Sequence, residues 1–448
     1  MKKRILSMIL ALTMILSITA ILSACGGGSG NGGSGATDGP TGDAVTISFW
    51  HPITGPDSKY MQTLIKSFND QNKGKYYVNA SAQAGEALYD KINKSFTDKS
   101  TADLCLINNE RIAQFVKNGK LADMTSLIAS SGFKKEDYVG GIWESCQIDG
   151  KMYAMPYDIL PIILFYNREL IPEGYTEADI LSDDFTVEKM VEMAKAAYDN
   201  SNPRMPTYGI AFNFAYTDAM FLSFLTQFGI SPVSASDPYT ARFDGAEGVA
   251  IAKAIMSMPL TKNADGLSIS SESGKDHLDI FCQGRALFTL DGIWSAPSAC
   301  KKVEGRLDAG VALLPKVNSD SERTVSGNSH VFATFNTANG GKVDEKKQEA
   351  ISAFMKYLVE NSAYWAEGGK VAARADVVSN NDYMNLEWGY LSTKLDRIIF
   401  PEKVHTYNAM INRIGYYVAN LCEGKTTNVQ SALSSAASEG ESLANQLK

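Results

Sequence analysis

Residues 45–52 read VTISFWHP: Val45, Ile47 and Phe49 alternate with Thr46 and Ser48 at the two-residue period of a strand, and Pro52 stops it. Working outward, Tyr60, Met61, Leu64, Ile65 and Phe68 fall on one helical face. Tyr76 to Ala80 reads as a second strand, and Leu88, Ile92 and Phe96 mark a second helix. A third unit follows: an apolar strand from Ala102 to Ile107, a polar break at Asn108, Asn109 and Glu110, and a helix through Ile112, Phe115 and Val116 that Gly119 ends. Three strand–helix units in succession predict an α/β fold with a mainly parallel sheet.

The pattern resumes beyond Tyr166 with a helix from Thr186 to Tyr198, capped by Thr186, and another from Thr217 to Phe228, closed by Gly229. The last hundred residues read as mostly helical: Ile351, Phe354, Met355 and Leu358 form one stripe, and long amphipathic stretches run from His405 to Cys422 and from Thr427 to Leu447. No internal repeat is present.

The chain opens with Lys2, Lys3 and Arg4, continues through about twenty mainly apolar residues, and reaches Leu22-Ser23-Ala24-Cys25. This is the layout of a signal peptide (1–24), and LSAC resembles a bacterial lipobox, which implies lipidation of Cys25 at the extracytoplasmic face of the cell membrane. Residues 25–42, rich in Gly and Ser, read as a flexible tether. The remaining 406 residues exceed the usual size of one core, so two lobes are expected. Without the three basic signal residues the formal charge moves from −8 to −11, which disfavours nucleic acid as a partner. The other cysteines, Cys105, Cys146, Cys282, Cys300 and Cys422, show no CxxC or metal-ligand spacing, so neither a metal nor another cofactor is expected.

Several strings, in order, resemble extracellular solute-binding proteins of family 1, the maltose-binding-protein-like group. VTISFWHP is similar to that family's first strand, and ADLCLINNERIAQFVKNGKLADMT (residues 102–125) to its strand, turn and helix. DGKMYAMPYDILPIILFYNREL, Asp149 to Leu170, resembles the crossover from the first lobe to the second, and FCQGRALFTLDGIW, Phe281 to Trp294, a segment of the second. EAISAFMKYLVENSAYW resembles the helix returning to the first lobe, and GGKVAARADV departs from the family pattern by placing Ala373 where Pro is usual. The resemblance implies a two-lobe, periplasmic-binding-protein-like (type II) fold with discontinuous lobes joined by hinge crossovers near Pro156, Asn328 and Ala373. It implies an N-terminal lobe of 43–156 plus 330–373 and a C-terminal lobe of 157–329 plus 374–448. By the same resemblance the chain is a monomeric binding lipoprotein of an ABC importer, closing on a small solute and presenting it to membrane permease subunits.

A sugar offers hydroxyls around its rim and apolar faces, so its site needs aromatic platforms beside planar polar groups. Trp50 with His51 at the end of the first strand and Trp294 with Asp291 at the end of FCQGRALFTLDGIW supply these from opposite lobes. Tyr157 and Asp158 follow Pro156 in the crossover, Asn108 and Asn109 sit between strand and helix, and Asn328 and His330 lie in the second suspected crossover. Glu86, Tyr216, Asp218, Arg374 and Tyr407 join them by family position alone.

A mono- or oligosaccharide is the expected ligand. The same transport role for a glycerophosphodiester, polyamine or peptide is the alternative, and a secreted hydrolase a more distant one. No G-x-S-x-G, H-E-x-x-H or GxxxxGK[ST] string occurs, which argues against an enzyme.

Overall fold

The structure, a computed structural model, describes residues 39–271, 276–336 and 344–448. Cys25, the 1–24 signal segment and most of the 25–42 tether lie outside the described residues. The opening alternation becomes β1 (Val45–His51), followed by α1 (Ser58–Gln71), β2 (Tyr76–Ala82), α2 (Glu86–Asp98) and β3 (Leu104–Asn108). Three short or buried strands carry the chain across: β4 (Met155–Pro156), β5 (Asp158–Ile159) and β6 (Ile162–Asn167). Beyond them come α3 (Val187–Ala197), β7 (Tyr208–Ala211), α4 (Thr217–Thr226), β8 (Ala286–Gly292) and β9 (Ala309–Ala312). The chain then returns through β10 (His330–Ala333), α5 (Glu345–Glu360) and β11 (Val371–Ala372), and ends in α6 (Tyr407–Ile411), α7 (Ile414–Cys422) and α8 (Val429–Asn445).

Two larger sheets result among the described residues, the two-lobe α/β arrangement expected. The first has the order β2-β1-β3-β10-β4, and the second β9-β6-β8-β7. In the first, β1 lies parallel to β2 and β3, while β10 runs antiparallel to both β3 and β4. In the second, only β8 and β7 are parallel; β6 is antiparallel to β8 and β9. The expectation of mainly parallel sheets therefore holds for the three opening units and fails elsewhere. A strand that arrives from the other lobe is not fed by a βαβ crossover, so nothing forces it to run parallel.

The chain passes between the two sheets at three places. β4 in the first sheet is followed at once by β5 and β6, Asn328 precedes β10, and β11 pairs antiparallel with β5, Ala372 opposite Asp158. The returning α5 completes the first core: the Phe354 ring lies 5.2 Å from Phe49 on β1 and 5.0 Å from Phe68 on α1. Burying such a side chain is worth about 2–3 kcal/mol.

Thr186 caps α3, its hydroxyl accepting from the Lys189 N–H at 3.2 Å. The stretch from His405 to Cys422 is not one helix; it breaks at Asn412 and Arg413, burying Tyr407 and Met410 on one segment and Ile414, Val418 and Leu421 on the next. The following α8 packs against both, and Gly440 permits the approach, since a Cβ there would collide with the Met410 carbonyl. Cys105, Cys146, Cys282, Cys300 and Cys422 are all free. Among the described residues no helix is long and apolar enough to cross a membrane, and no group of three or more His, Cys, Asp or Glu could hold a metal ion.

Candidate functional site

A cavity of about 450 Å³ opens between the two sheets. From the first come the loop after β1 (Ile53 to Gly55, then Asp57), Asn108 at the end of β3, and Glu110; from the second come Tyr216, Asp218, Trp294 and Tyr407. Leu160, Asn328, His330 and Lys370, at or beside the crossovers, form its floor. Strand ends deliver these groups because that is where a twisted sheet opens and its loops turn outward.

The aromatic wall is built locally. Trp294 follows β8 in a tight turn, and its indole folds back over Gly292, where any Cβ would collide with the ring. Tyr216 meets it edge-on, ring centroids 5.7 Å apart at 87°. Asn213 fixes the turn that carries Tyr216 by accepting the Ala215 N–H at 2.9 Å. Burial, then the nearby Asp291 carboxylate, pushes the Tyr216 phenol up to about 12, so it stays a hydrogen-bond donor at any physiological pH.

The floor is organised by one carboxylate. Asp158, fully buried, accepts the His330 backbone N–H at 2.8 Å, the His330 Nδ1–H at 2.8 Å and the Trp365 Nε1–H at 2.8 Å. Burial alone pushes its carboxyl up, but His330, Lys370 and these hydrogen bonds outweigh it and hold the group below the ordinary carboxylate range. One side chain thus ties the first crossover to the second through His330, and to the third through Trp365 and the β5–β11 pair. With Nδ1 committed to Asp158, Nε2 is the nitrogen His330 has left for a ligand. Beside it, the buried Lys370 ammonium meets Asp57 at 2.7 Å, and Asn108 accepts the Tyr89 hydroxyl on Oδ1 at 2.7 Å, leaving its amide N–H2 to donate.

A scan against family profiles matches residues 63–386 to the family described as bacterial extracellular solute-binding protein. The chain belongs to that family. As a solute-binding protein it is 27% identical over 164 residues to the diacetylchitobiose binding protein DasA of Streptomyces coelicolor, covering 36% of this chain and 37% of that one. It is 22% identical over 287 residues to a maltooligosaccharide ABC transporter solute-binding lipoprotein of Streptococcus pneumoniae, covering 63% of this chain and 62% of that one. The matches thus span between about a third and three-fifths of these curated relatives. Among solved structures, the maltose-bound MalE3 of T. maritima superposes with a TM-score of 0.73 at 18% identity, over 89% of this chain and 99% of its own. MalE from Bdellovibrio bacteriovorus bound to maltotriose gives 0.69 at 17% identity, over 90% and 99%. At such identity the likeness establishes the fold, a type II periplasmic-binding-protein fold.

Of the residues singled out from the sequence, the cavity brings together Asn108, Tyr216, Trp294, Asn328 and His330, with Asp218 and Tyr407. The others lie elsewhere. Trp50 is buried on β1, with the Lys91 ammonium 4.0 Å from its ring centre, and His51 is buried beside Phe49, their rings 5.2 Å apart. Tyr157 stacks on Trp365 at 5.4 Å inside the core, and Asp158 lies behind His330 and does not line the cavity. Asp291 accepts from His277 Nε2 at 2.6 Å and is buried below the aromatic wall. Asn109 is buried, its backbone N–H donating to Ser329 at 3.0 Å. Glu86 pairs with Arg111 on the surface, and Arg374 with Asp376 at 2.7 Å.

Asp57 and Lys370 were not singled out, nor was Glu110 taken as a contact. The strand-end rule that pointed to Trp50 applies equally to the loop that follows it and reaches Asp57. Lys370 had no sequence signal: its partner is 313 positions away.

Proposed function

We propose that this protein is the substrate-binding lipoprotein of an ABC importer, taking a mono- or oligosaccharide between its lobes and delivering it to membrane permease subunits. The observation that carries the reading is the composition of the cavity: an edge-to-face Trp294–Tyr216 wall opposite planar polar groups, Asn108, Asn328 and His330. Aromatic faces receive the C–H faces of a pyranose, and the amides and imidazole exchange hydrogen bonds with its hydroxyls. The names of two of the relatives, a diacetylchitobiose binding protein and a maltooligosaccharide solute-binding lipoprotein, support the same class.

In this reading residues 43–156 with 330–373 form one lobe and 157–329 with 374–448 the other, and the three crossovers are the hinge. Cys25 carries the lipid that keeps the chain at the extracytoplasmic face of the membrane, and the protein acts as a monomer. Binding without turnover is the expected chemistry.

The test is thermal unfolding of the chain from residue 43 onward against sugars, glycerophosphodiesters, polyamines and amino acids. A ligand at a hundred times its Kd adds about 2.7 kcal/mol. A rise with sugars that are recovered unchanged supports the reading; a rise confined to non-sugars, or hydrolysis of the sugar, overturns it.

A further inference from the structure

The charges around the cavity do not balance. Asp57 is matched by Lys370 at 2.7 Å, and Asp158, behind the cavity, is hydrogen-bonded by His330 at 2.8 Å. Two further carboxylates line the cavity, one from each side: Glu110, just after β3, and Asp218, in the first turn of α4. Asp218 accepts the Ala219 N–H at 2.7 Å, and no cation pairs with it among the described residues. The nearest cation to Glu110 is Arg111, at 3.9 Å, but that guanidinium is held by Glu86 and lies over the Tyr89 ring at 4.2 Å. Burial pushes both carboxyls above their ordinary range, more than Arg111 and the hydrogen bond with the Asn328 side chain offset for Glu110, and more than the Ala219 N–H offsets for Asp218. Two acids that line the cavity are thus desolvated without a full counter-charge.

A second observation points the same way. Tyr407 lines this cavity at 4% exposure, and its hydroxyl has no hydrogen-bond partner among the described residues. Burial, then Glu110 and Asp218, push its phenol up, so the field of both carboxylates reaches it. Tyr407, Tyr216 and Trp294 present aromatic groups beside the two acids, and aromatic faces attract cations.

We propose that the ligand carries a protonated amine on its sugar scaffold, and that Glu110 and Asp218 receive the ammonium from opposite sides of the cleft. This rests on the carbohydrate reading above and narrows it to amino sugars or oligosaccharides containing one. A neutral sugar would donate hydroxyl hydrogen bonds to the same oxygens but would leave both charges uncompensated. An ammonium supplies the missing charge, and its N–H donors reach both walls, so it links the lobes as they close.

The experiment is calorimetric titration of the chain from residue 43 onward with matched sets differing at one substituent: glucosamine, N-acetylglucosamine and glucose, and the corresponding β-1,4 disaccharides. It is done below the pKa of the amine. Spermidine is the ring-free amine control. The free amines are expected to bind at least about tenfold more tightly than their neutral counterparts. Asp218→Asn and Glu110→Gln should each lower amine affinity about tenfold, with unfolding midpoints recorded to confirm that the variants fold. Equal or tighter binding of the neutral members, in a protein that does bind sugars, overturns the amine and leaves the carbohydrate reading standing. Spermidine binding more tightly than every sugar, or binding of no sugar in either form, overturns the carbohydrate reading itself.

Discussion

Replacing Asp158 by Asn removes one charge and almost no volume from the point where the three crossovers meet. The carboxylate accepts three N–H groups, two from His330 and one from Trp365, each at 2.8 Å, and is fully buried. An asparagine has one acceptor oxygen, and its amide would point N–H groups at donors it cannot satisfy. Breaking such a buried pair costs about 3 kcal/mol. Urea unfolding is the assay: the midpoint should fall with an unchanged slope, the sign that stability and not compactness has changed. The pH profile gives an independent reading. The Asp158 carboxyl is depressed in the folded state, so its contribution is present above the unfolded carboxylate range and is lost as pH falls through the folded value. The variant should therefore lack that acid-side loss. A midpoint change worth under about 1 kcal/mol, the value of a surface pair, would refute the view that this carboxylate holds the hinge together.

His51 is pushed down to about 4 by burial and then by His330, so between about pH 6.5 and 4 the unfolded chain binds a proton that the folded chain refuses. Stability should be flat above that window and fall by about 3 kcal/mol across it as the pH is lowered stepwise in urea titrations; His51→Gln should flatten that segment, and an unchanged slope would assign it to other groups. Trp294→Ala should weaken sugar binding at least about tenfold while the unfolding midpoint stays near that of the parent, because the indole is only half-buried; unchanged affinity would remove Trp294 from the site. Gly292→Ala keeps a backbone that alanine tolerates, φ −68°, but its methyl displaces the Trp294 ring. It should reproduce the binding loss without deleting the indole, seen as a change in tryptophan emission, and normal binding would show that the folded-back ring position is dispensable.

Much of the architecture could be read because it is local. The period-two run at Val45 to Phe49 and the helical face from Tyr60 to Phe68 name β1 and α1 directly, and their repetition names the first sheet. The antiparallel insertion of β10 could not be read in that way, since Phe332 finds Leu106 across 226 positions and nothing near either residue records the pairing. The site divides along the same line. Trp294, Asn108 and His330 stand at strand ends, where an exposed turn is expected from pattern alone. Trp50 and His51 stand at a strand end too, but they face opposite sides of β1: the Lys91 side chain of α2 lies over the Trp50 ring, and His51 packs beside Phe49, on the face that α5 covers. Which end residues reach a cavity depends on what packs over them, and that covering comes from elsewhere in the chain.

The position of β10 between β3 and β4 also governs the order of events during synthesis. A growing chain that has completed β1 through β4 holds a first sheet with a vacancy between β3 and the edge strand β4, because the strand that joins them is encoded beyond the whole second sheet. Closing that vacancy must wait until residue 333 has emerged, and α5 cannot cover Phe49 and Phe68 until later still. Pairings so distant along the chain close slowly, and the unpaired edges they leave are prone to wrong partners in the interval. The first sheet to be started is therefore completed only after every strand of the second has been made.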